Sequence, residues 1–359
     1  MVSVLEPLIG QRPQKMKKVI FFSFLLTLAL YSCQKQSLEP VGNTLPFENG
    51  DIRLELAASS VPSFIRDIHF FNESEGIAIT NDGKIYRTSD KGVTWELKFI
   101  DPHPDQIYFQ ILFLDENIGY VVGGNTGCGG NDCIPAGGTI LKTTDGGETW
   151  SNIYLLNGVT FESIASNELG EIFTISNGKL SRISKSSDAG MSWIIIDSFD
   201  FDLHKITFNN GFGFCTGMDG NVIKSSDEGN SWILATTLDA LYATDIKFNQ
   251  DNGYCIANNN AIYKTTNDGV SWAENYTSNY ISYALNPLSE NSCLIFGSGE
   301  YTGGCFGSYY GGIIQTTDSG NSWTETQITD ITSIRCTSFY SETEGYAVSG
   351  FKLIKVIVK

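Results

Sequence analysis

Five aspartates of this chain occupy one repeated setting. Asp90, Asp145, Asp188, Asp227 and Asp318 each lie inside the phrase Ser/Thr-x-Asp-x-Gly-x-Ser/Thr-Trp, and Asn267 takes the same place in one further copy. Carboxylates are common general acids, bases and nucleophiles, so the repetition invites a catalytic reading. That chemistry needs two carboxylates converging on one bond, whereas here each acid has its own turn, one per repeat. The alternative is structural: a short acid accepts hydrogen bonds from the backbone amides of its own turn, and the glycine that follows supplies the positive φ. The structural reading fits the spacing.

The phrase closes each time on a tryptophan, at Trp95, Trp150, Trp193, Trp232, Trp272 and Trp323, and these account for all 6 tryptophans of the 359 residues. A short apolar run precedes each copy (KIYR, TILK, AIYK), and for several another follows (WELKFI, WIII). Two strands joined by a tight polar turn make a β-hairpin. Upstream of each hairpin lie two more strands, one opening on glycine (GIAIT, GYVVG, GFCTG, GYCIA) and one reading IRDIHFF, YFQILFL, HKITF or TDIKF. Four strands recurring at about 40 residues predict a β-propeller blade, which buries its faces only against its neighbours.

The C-terminal stretch TSIRCTSFYSETEGYAVSGFKLIKVIVK supplies three strands and no turn phrase, while IRLEL at Ile52–Leu56 has no partner at the front. Pairing the two completes a last blade and leaves no open edge. The expected fold is all-β: a seven-bladed propeller of four-stranded antiparallel blades over residues 51–359, closed by the N-terminal strand.

Residues 1–33 read as an export signal. Lys17 and Lys18 precede an apolar run from Val19 to Leu30, too short to span a bilayer, and the signal reads best from Met16. The end, Leu30-Tyr31-Ser32-Cys33, resembles a bacterial lipobox, which makes Cys33 the expected lipidation site and mature N-terminus; the alternative is an ordinary cleaved signal. Residues 34–50 are polar, with two prolines, and read as a flexible tether. The expected location is the bacterial envelope, lipid-anchored at the outer membrane.

The full chain carries a net charge of −17, and loss of the signal makes it −20. So acidic a domain is a poor partner for nucleic acid. Cys128 and Cys133 lie in the glycine-rich run GCGGNDC and are expected to form a local disulfide in an oxidising compartment. No histidine is near them, which argues against a metal site, and no cofactor is expected. Cys215 and Cys255 hold matching strand positions and read as buried thiols.

The turn phrase resembles the Asp-box of bacterial neuraminidase-type repeats. The tandem of G-Y-x-x-G followed by I-x-K-T-T-D-G-G-x-T-W is similar to the photosystem II stability/assembly factor-like propellers, which also occur in non-photosynthetic bacteria. The resemblance spans essentially the whole mature domain and implies a non-catalytic scaffold assisting assembly of a membrane complex. The Asp-box is shared with sialidases, xyloglucanases and sortilin-type receptors, so it specifies fold better than activity.

In a propeller the loops between second and third strands share one face with the links between blades, opposite the turn phrases. Most of those loops are minimal here. Blade 2 has GGNTGCGGNDCIPAGG (Gly123 to Gly138) and blade 6 has GSGEYTGGCFGSYYGG (Gly297 to Gly312). Long loops on one face are where binding concentrates, and Tyr301, Phe306, Tyr309 and Tyr310 offer flat amphipathic surfaces for a glycan or a protein. The alternative is that they pack the loop onto its own blade.

The starts of the innermost strands rim the same face, aligning Arg66, Phe109, Glu162, His204, Thr244 and Arg335. Arg66 and Arg335 fall on neighbouring blades and could clamp a carboxylate, or else pair with Asp67 and other rim acids. A sialidase-like site implies three arginines on the substrate carboxylate. Of the five beyond the signal, Arg53, Arg87 and Arg182 belong to strands away from the rim. The expected function is therefore a binding scaffold for an envelope protein or glycan, with a glycan hydrolase as the alternative.

Overall fold

The computed structural model describes residues 45–58, 60–103, 105–125, 137–301 and 309–359. These form seven antiparallel sheets, six of four strands and one of five. Blade 1 sets the pattern: an innermost strand Ile65–Phe70, a second Gly76–Thr80, a third Lys84–Thr88 and an outer Glu96–Ile100. Blades 2 to 6 repeat it at 107–156, 160–199, 203–237, 243–277 and 281–332.

The second strands are buried along nearly their whole length, as in GIAIT of blade 1. Their apolar side chains point alternately to both faces, so each face needs a neighbouring blade. The core is accordingly a series of inter-blade layers. Ile77, Ile79 and Ile85 of blade 1 pack with Tyr108, Val121 and Leu141 of blade 2, and Ile175 and Ile183 of blade 3 with Ile206, Cys215 and Ile223 of blade 4. Cys215, Cys255, Cys293 and Cys336 are free thiols inside these layers.

Blade 7 takes its inner three strands from the C-terminus and its fourth, Ile52–Ala58, from the N-terminal side, with Ile52 opposite Val358 and Leu56 opposite Ile354. A fifth strand, Phe47–Asn49, covers the outer edge by pairing with Ile52–Leu54. It falls within the stretch assigned to the tether, so the ordered ring starts earlier than the polar composition implies. Phe47 is the physical reason: it is buried in a cluster with Leu54, Ile328 and Ile331, between blades 6 and 7.

The turn phrases repeat one hydrogen-bond scheme. In blade 1 the Thr94 amide and hydroxyl donate to the two oxygens of Asp90, at 2.8 and 2.6 Å, while Thr88 Oγ1 accepts from the Gly92 amide at 3.0 Å. Hydrogen bonds to the ionised form hold these carboxyls low, led by the hydroxyl bond; Asp188 and Asp318 fall to about 2. Asn267 keeps one bond as acceptor, from the Ser271 amide at 3.0 Å, and reverses the other by donating to Ser271 Oγ.

The residue before the phrase glycine is also left-handed, which the pattern Asp-x-Gly does not reveal: Lys91, Ala189, Glu228, Asp268 and Ser319 have φ between 51 and 66°. That conformation turns the carbonyl toward the preceding blade. There a third-strand lysine reaches it: Lys142 to Ala189 at 2.9 Å, Lys224 to Asp268 and Lys264 to Ser319 at 2.5 Å. Arg87 does the same to Gly146 and pairs with Glu75 and Glu148.

Most tryptophan rings stand edge-on to an aromatic at the end of an innermost strand, as Trp150 does to Phe113 and Trp232 to Phe208. Trp150 and Trp232 also donate Nε1–H to their phrase glycine carbonyls. Replacing buried Trp232 with alanine should cost about 3–5 kcal/mol, read by denaturant unfolding. Asn267→Asp should raise Tm slightly at neutral pH. Because turn aspartates have a folded-state pKa below the unfolded value near 4, that gain should be complete above about pH 4 and lost as pH falls toward 2 in a thermal-melt series.

Candidate binding mouth

Each innermost strand carries one register shift near its start, between Ile65 and Asp67, Tyr108 and Gln110, Phe161 and Ser163, Leu203 and Lys205, Ala243 and Asp245, Ser282 and Ala284, and Ile334 and Cys336. A bulge adds one residue and re-aims its side chain. The seven inserted residues are Arg66, Phe109, Glu162, His204, Thr244, Tyr283 and Arg335, and all line one cavity of about 240 Å³ at the channel mouth. Alignment of the repeats finds six of these. Tyr283 escapes it, although SYAL in blade 6 holds the equivalent register.

In four of the seven blades the residue after the bulge clips adjacent blades together. Asp67 accepts from the amides of Ile68 and of Ile111 in blade 2. Gln110 Oε1 accepts from Ser163 Oγ and the Ile164 amide, and Ser163 Oγ accepts from Ile206. Asp245 accepts from Ile246 and, at 3.4 Å, from Leu285. Burial raises the Asp67 carboxyl, opposed first by Lys205. Below the neck a second cavity of about 520 Å³ continues toward the turn face, past His69, which burial pulls down to about 4.

Both rim arginines rest on aromatic rings instead of acids. Arg66 Cζ lies 5.3 Å from the Phe109 ring centre and Arg335 Cζ 5.0 Å from that of Tyr283. Pairing of Arg66 with Asp67 is not the arrangement found, since the Asp67 oxygens are engaged by backbone amides. Neither arginine is within 4.0 Å of a described carboxylate. Burial lowers the Arg66 guanidinium, Glu162 opposes this, and Arg335 adds to it. The Glu162 carboxyl is raised, mainly by burial, while Thr160 holds it by a hydroxyl bond of 2.9 Å. His204 is lowered by burial, its Nε2 has no partner among the described residues, and its ring meets Tyr242 edge-on at 5.7 Å.

The two long segments both arise on the mouth face, but much of each is strand. Blade 2 stays paired to Asn125 opposite Gly137, and blade 6 to Tyr301 opposite Tyr309. Tyr301, Tyr309 and Tyr310 thus belong to an extended ladder and not to a free loop. Cys33, Cys128, Cys133 and Phe306 lie outside the described residues.

Residues 52–198 match the family described as photosynthesis system II assembly factor YCF48. A stretch of 129 residues is 24% identical to photosystem II assembly lipoprotein Ycf48 of Synechococcus sp. (strain CC9902), covering 35% of this chain and 35% of that relative. Among solved structures, YCF48 bound to D1 peptide superposes with a TM-score of 0.63 at 16% identity, over 89% of this chain and 99% of that one. The GH74 enzyme of Niastella koreensis gives 0.60 at 14% identity, over 84% of this chain and 53% of that one. At such identities the superpositions speak for the fold alone.

Two classes of substitution should separate in thermal melts. Gln110→Ala, which breaks the clip between blades 2 and 3, should cost about 1–3 kcal/mol. Arg66→Ala and Arg335→Ala, at the solvent-facing rim and without acid partners among the described residues, should each stay within about 0.5 kcal/mol of the parent. Repeat and turn phrase make the chain a seven-bladed propeller, and its matched stretch, residues 52–198, is similar to the photosystem II assembly factor family.

Proposed function

We propose that this chain is a non-catalytic envelope lipoprotein, lipidated at Cys33, whose ring holds a protein partner at the channel mouth and assists assembly of a membrane complex. The observation that carries the reading is the pair of guanidiniums of Arg66 and Arg335. They stand on neighbouring blades, lie over aromatic rings and lack carboxylate partners among the described residues, in a chain of net charge −17. A carboxylate from outside, such as an acidic side chain or a peptide end, would complete them, and bidentate geometry would add selectivity. Phe109 and Tyr283 supply ring surface beside that charge.

The comparisons support the same direction. One matched relative is named an assembly lipoprotein, and one superposing propeller is described as bound to a peptide. The paired strands at the base of the blade 2 and blade 6 segments raise walls beside the mouth, which suits a partner larger than a single sugar.

The hydrolase alternative has less support among the described residues. Glu162 has the raised carboxyl that a general acid needs. Its neighbours Asp67 and Asp245 are occupied with backbone amides, so that Asp202, whose charge acts on both Glu162 and His204, is the acid this reading would have to recruit.

The test is a pull-down from detergent-solubilised envelope, followed by titration of the recovered partner. Arg66→Ala and Arg335→Ala should each weaken binding at least about tenfold, near 1.4 kcal/mol, with added salt weakening the parent in the same direction. Unchanged affinity in the double variant overturns the reading. Turnover on a panel of fluorogenic glycosides and sialosides, abolished by Glu162→Gln, would replace it with the hydrolase.

A further inference from the structure

We infer that the mouth of the ring is turned toward the bilayer that holds the chain. The inference deepens the proposed function and rests on its lipid-anchor reading of Cys33; its own basis is the direction in which the chain arrives at blade 7.

Third strands run from the mouth face to the turn face, so in blade 7 Lys352 is at the mouth end and Val358 at the turn end. Ile52–Ala58 is antiparallel to that strand and climbs back, with Ile52 opposite Val358 and Ala58 opposite Leu353. Phe47–Asn49 is antiparallel again and descends, with Asn49 opposite Ile52 and Phe47 opposite Leu54. The chain before Phe47 therefore comes from the mouth side.

Leu45 fixes the point of arrival. Its amide donates to Asp330 Oδ2 at 2.9 Å. Asp330 lies near the mouth end of blade 6, between Ile328 opposite Gly311 and Thr332 opposite Tyr310, and its carbonyl takes the Lys352 ammonium at 2.5 Å. Buried Phe47 and an ion pair of Glu48 with Lys359 lock the segment in this direction. From Leu45 back to Cys33 the chain spans at most about 40 Å even when fully extended. An acyl chain on Cys33 would hold the bilayer within that distance of the mouth-side rim.

The surface supplies an independent observation. Of the large apolar side chains exposed among the described residues, the aromatic ones are Phe64, Tyr242, Tyr309 and Phe351. All four lie on the mouth face, in links between blades or at second-to-third connections. The turn face exposes Val93, Leu114, Leu169, Met191 and Val270, while its turn-phrase tryptophans Trp95, Trp193, Trp272 and Trp323 are half-buried. Aromatic side chains are the residues that favour a membrane–water boundary. What reaches a mouth so placed is a protein segment displayed at the surface of the same membrane.

Blade 3 allows a direct measurement, because exposed Lys179 lies at its mouth end and exposed Glu168 at its turn end, separated by the strand Ile172–Asn177. A fluorophore-bearing amino acid is placed at one or the other position of the full chain. The lipidated protein is reconstituted in phosphatidylcholine vesicles with a headgroup energy acceptor. The two positions differ by about 20 Å in height, so transfer from position 179 should exceed that from 168 about twofold or more. Equal transfer, or stronger transfer from 168, overturns the inference. If the full chain stays off the vesicles, the anchor reading fails by itself. The same probes on a chain held by hexahistidine at position 33 on nickel-chelating lipid then decide the facing.

Discussion

The second strand of every blade is buried on both sides, and a lone blade has nothing with which to cover either. Burial of such a strand must come from two neighbours, each of which makes the same demand. Only a closed circle meets all of them, because an open row leaves two end blades with wet apolar faces. The strand Ile52–Ala58 closes the circle by bringing the N-terminal side onto the C-terminal sheet, and Phe47 extends that seal to the gap beside blade 6. Straps from lysine to the left-handed carbonyl of the next turn run around one rim, and amide clips at Asp67, Gln110, Ser163 and Asp245 run around the neck. Both sets tie blade to blade, as a structure made from inter-blade layers requires.

That scaffold leaves one ring of positions free to vary. Seven bulges project seven side chains into the mouth, and those side chains differ from blade to blade: arginine, phenylalanine, glutamate, histidine, threonine, tyrosine and arginine. In four blades the residue just after the bulge is taken up by tying neighbouring blades together. Recognition and cohesion thus occupy adjacent positions on the same strand, which is why Arg66 can lie on an aromatic ring while Asp67 beside it serves the backbone.

The fold was readable because its signals are local and repeated. Every turn phrase states its own geometry, and the unpaired IRLEL at the front matches the missing strand at the back. The site was readable only as far as register could be copied from blade to blade. Alignment reached Arg66 and Arg335 but could not tell whether Asp67 neutralised them, since that depends on Ile111 in the next blade offering its amide. Tyr283 escapes the pattern because blade 6 departs from the repeat consensus, and glycine-rich composition hides the continuing ladder that reaches Tyr301 and Tyr309. Phe47 was missed for the opposite reason: one apolar residue in a polar stretch has no period, and its burial is decided by Ile328 and Ile331 far along the chain.

The four free thiols in the inter-blade layers bear on the proposed export of the chain. Burial raises Cys215, Cys255, Cys293 and Cys336 well above the ordinary thiol range. Thiol exchange and oxidation proceed through the thiolate, and these sulfurs are denied both ionisation and access. Each serves as a small oily filler, so the folded wheel can remain unbridged amid oxidants that would crosslink the same sulfurs in a loose chain.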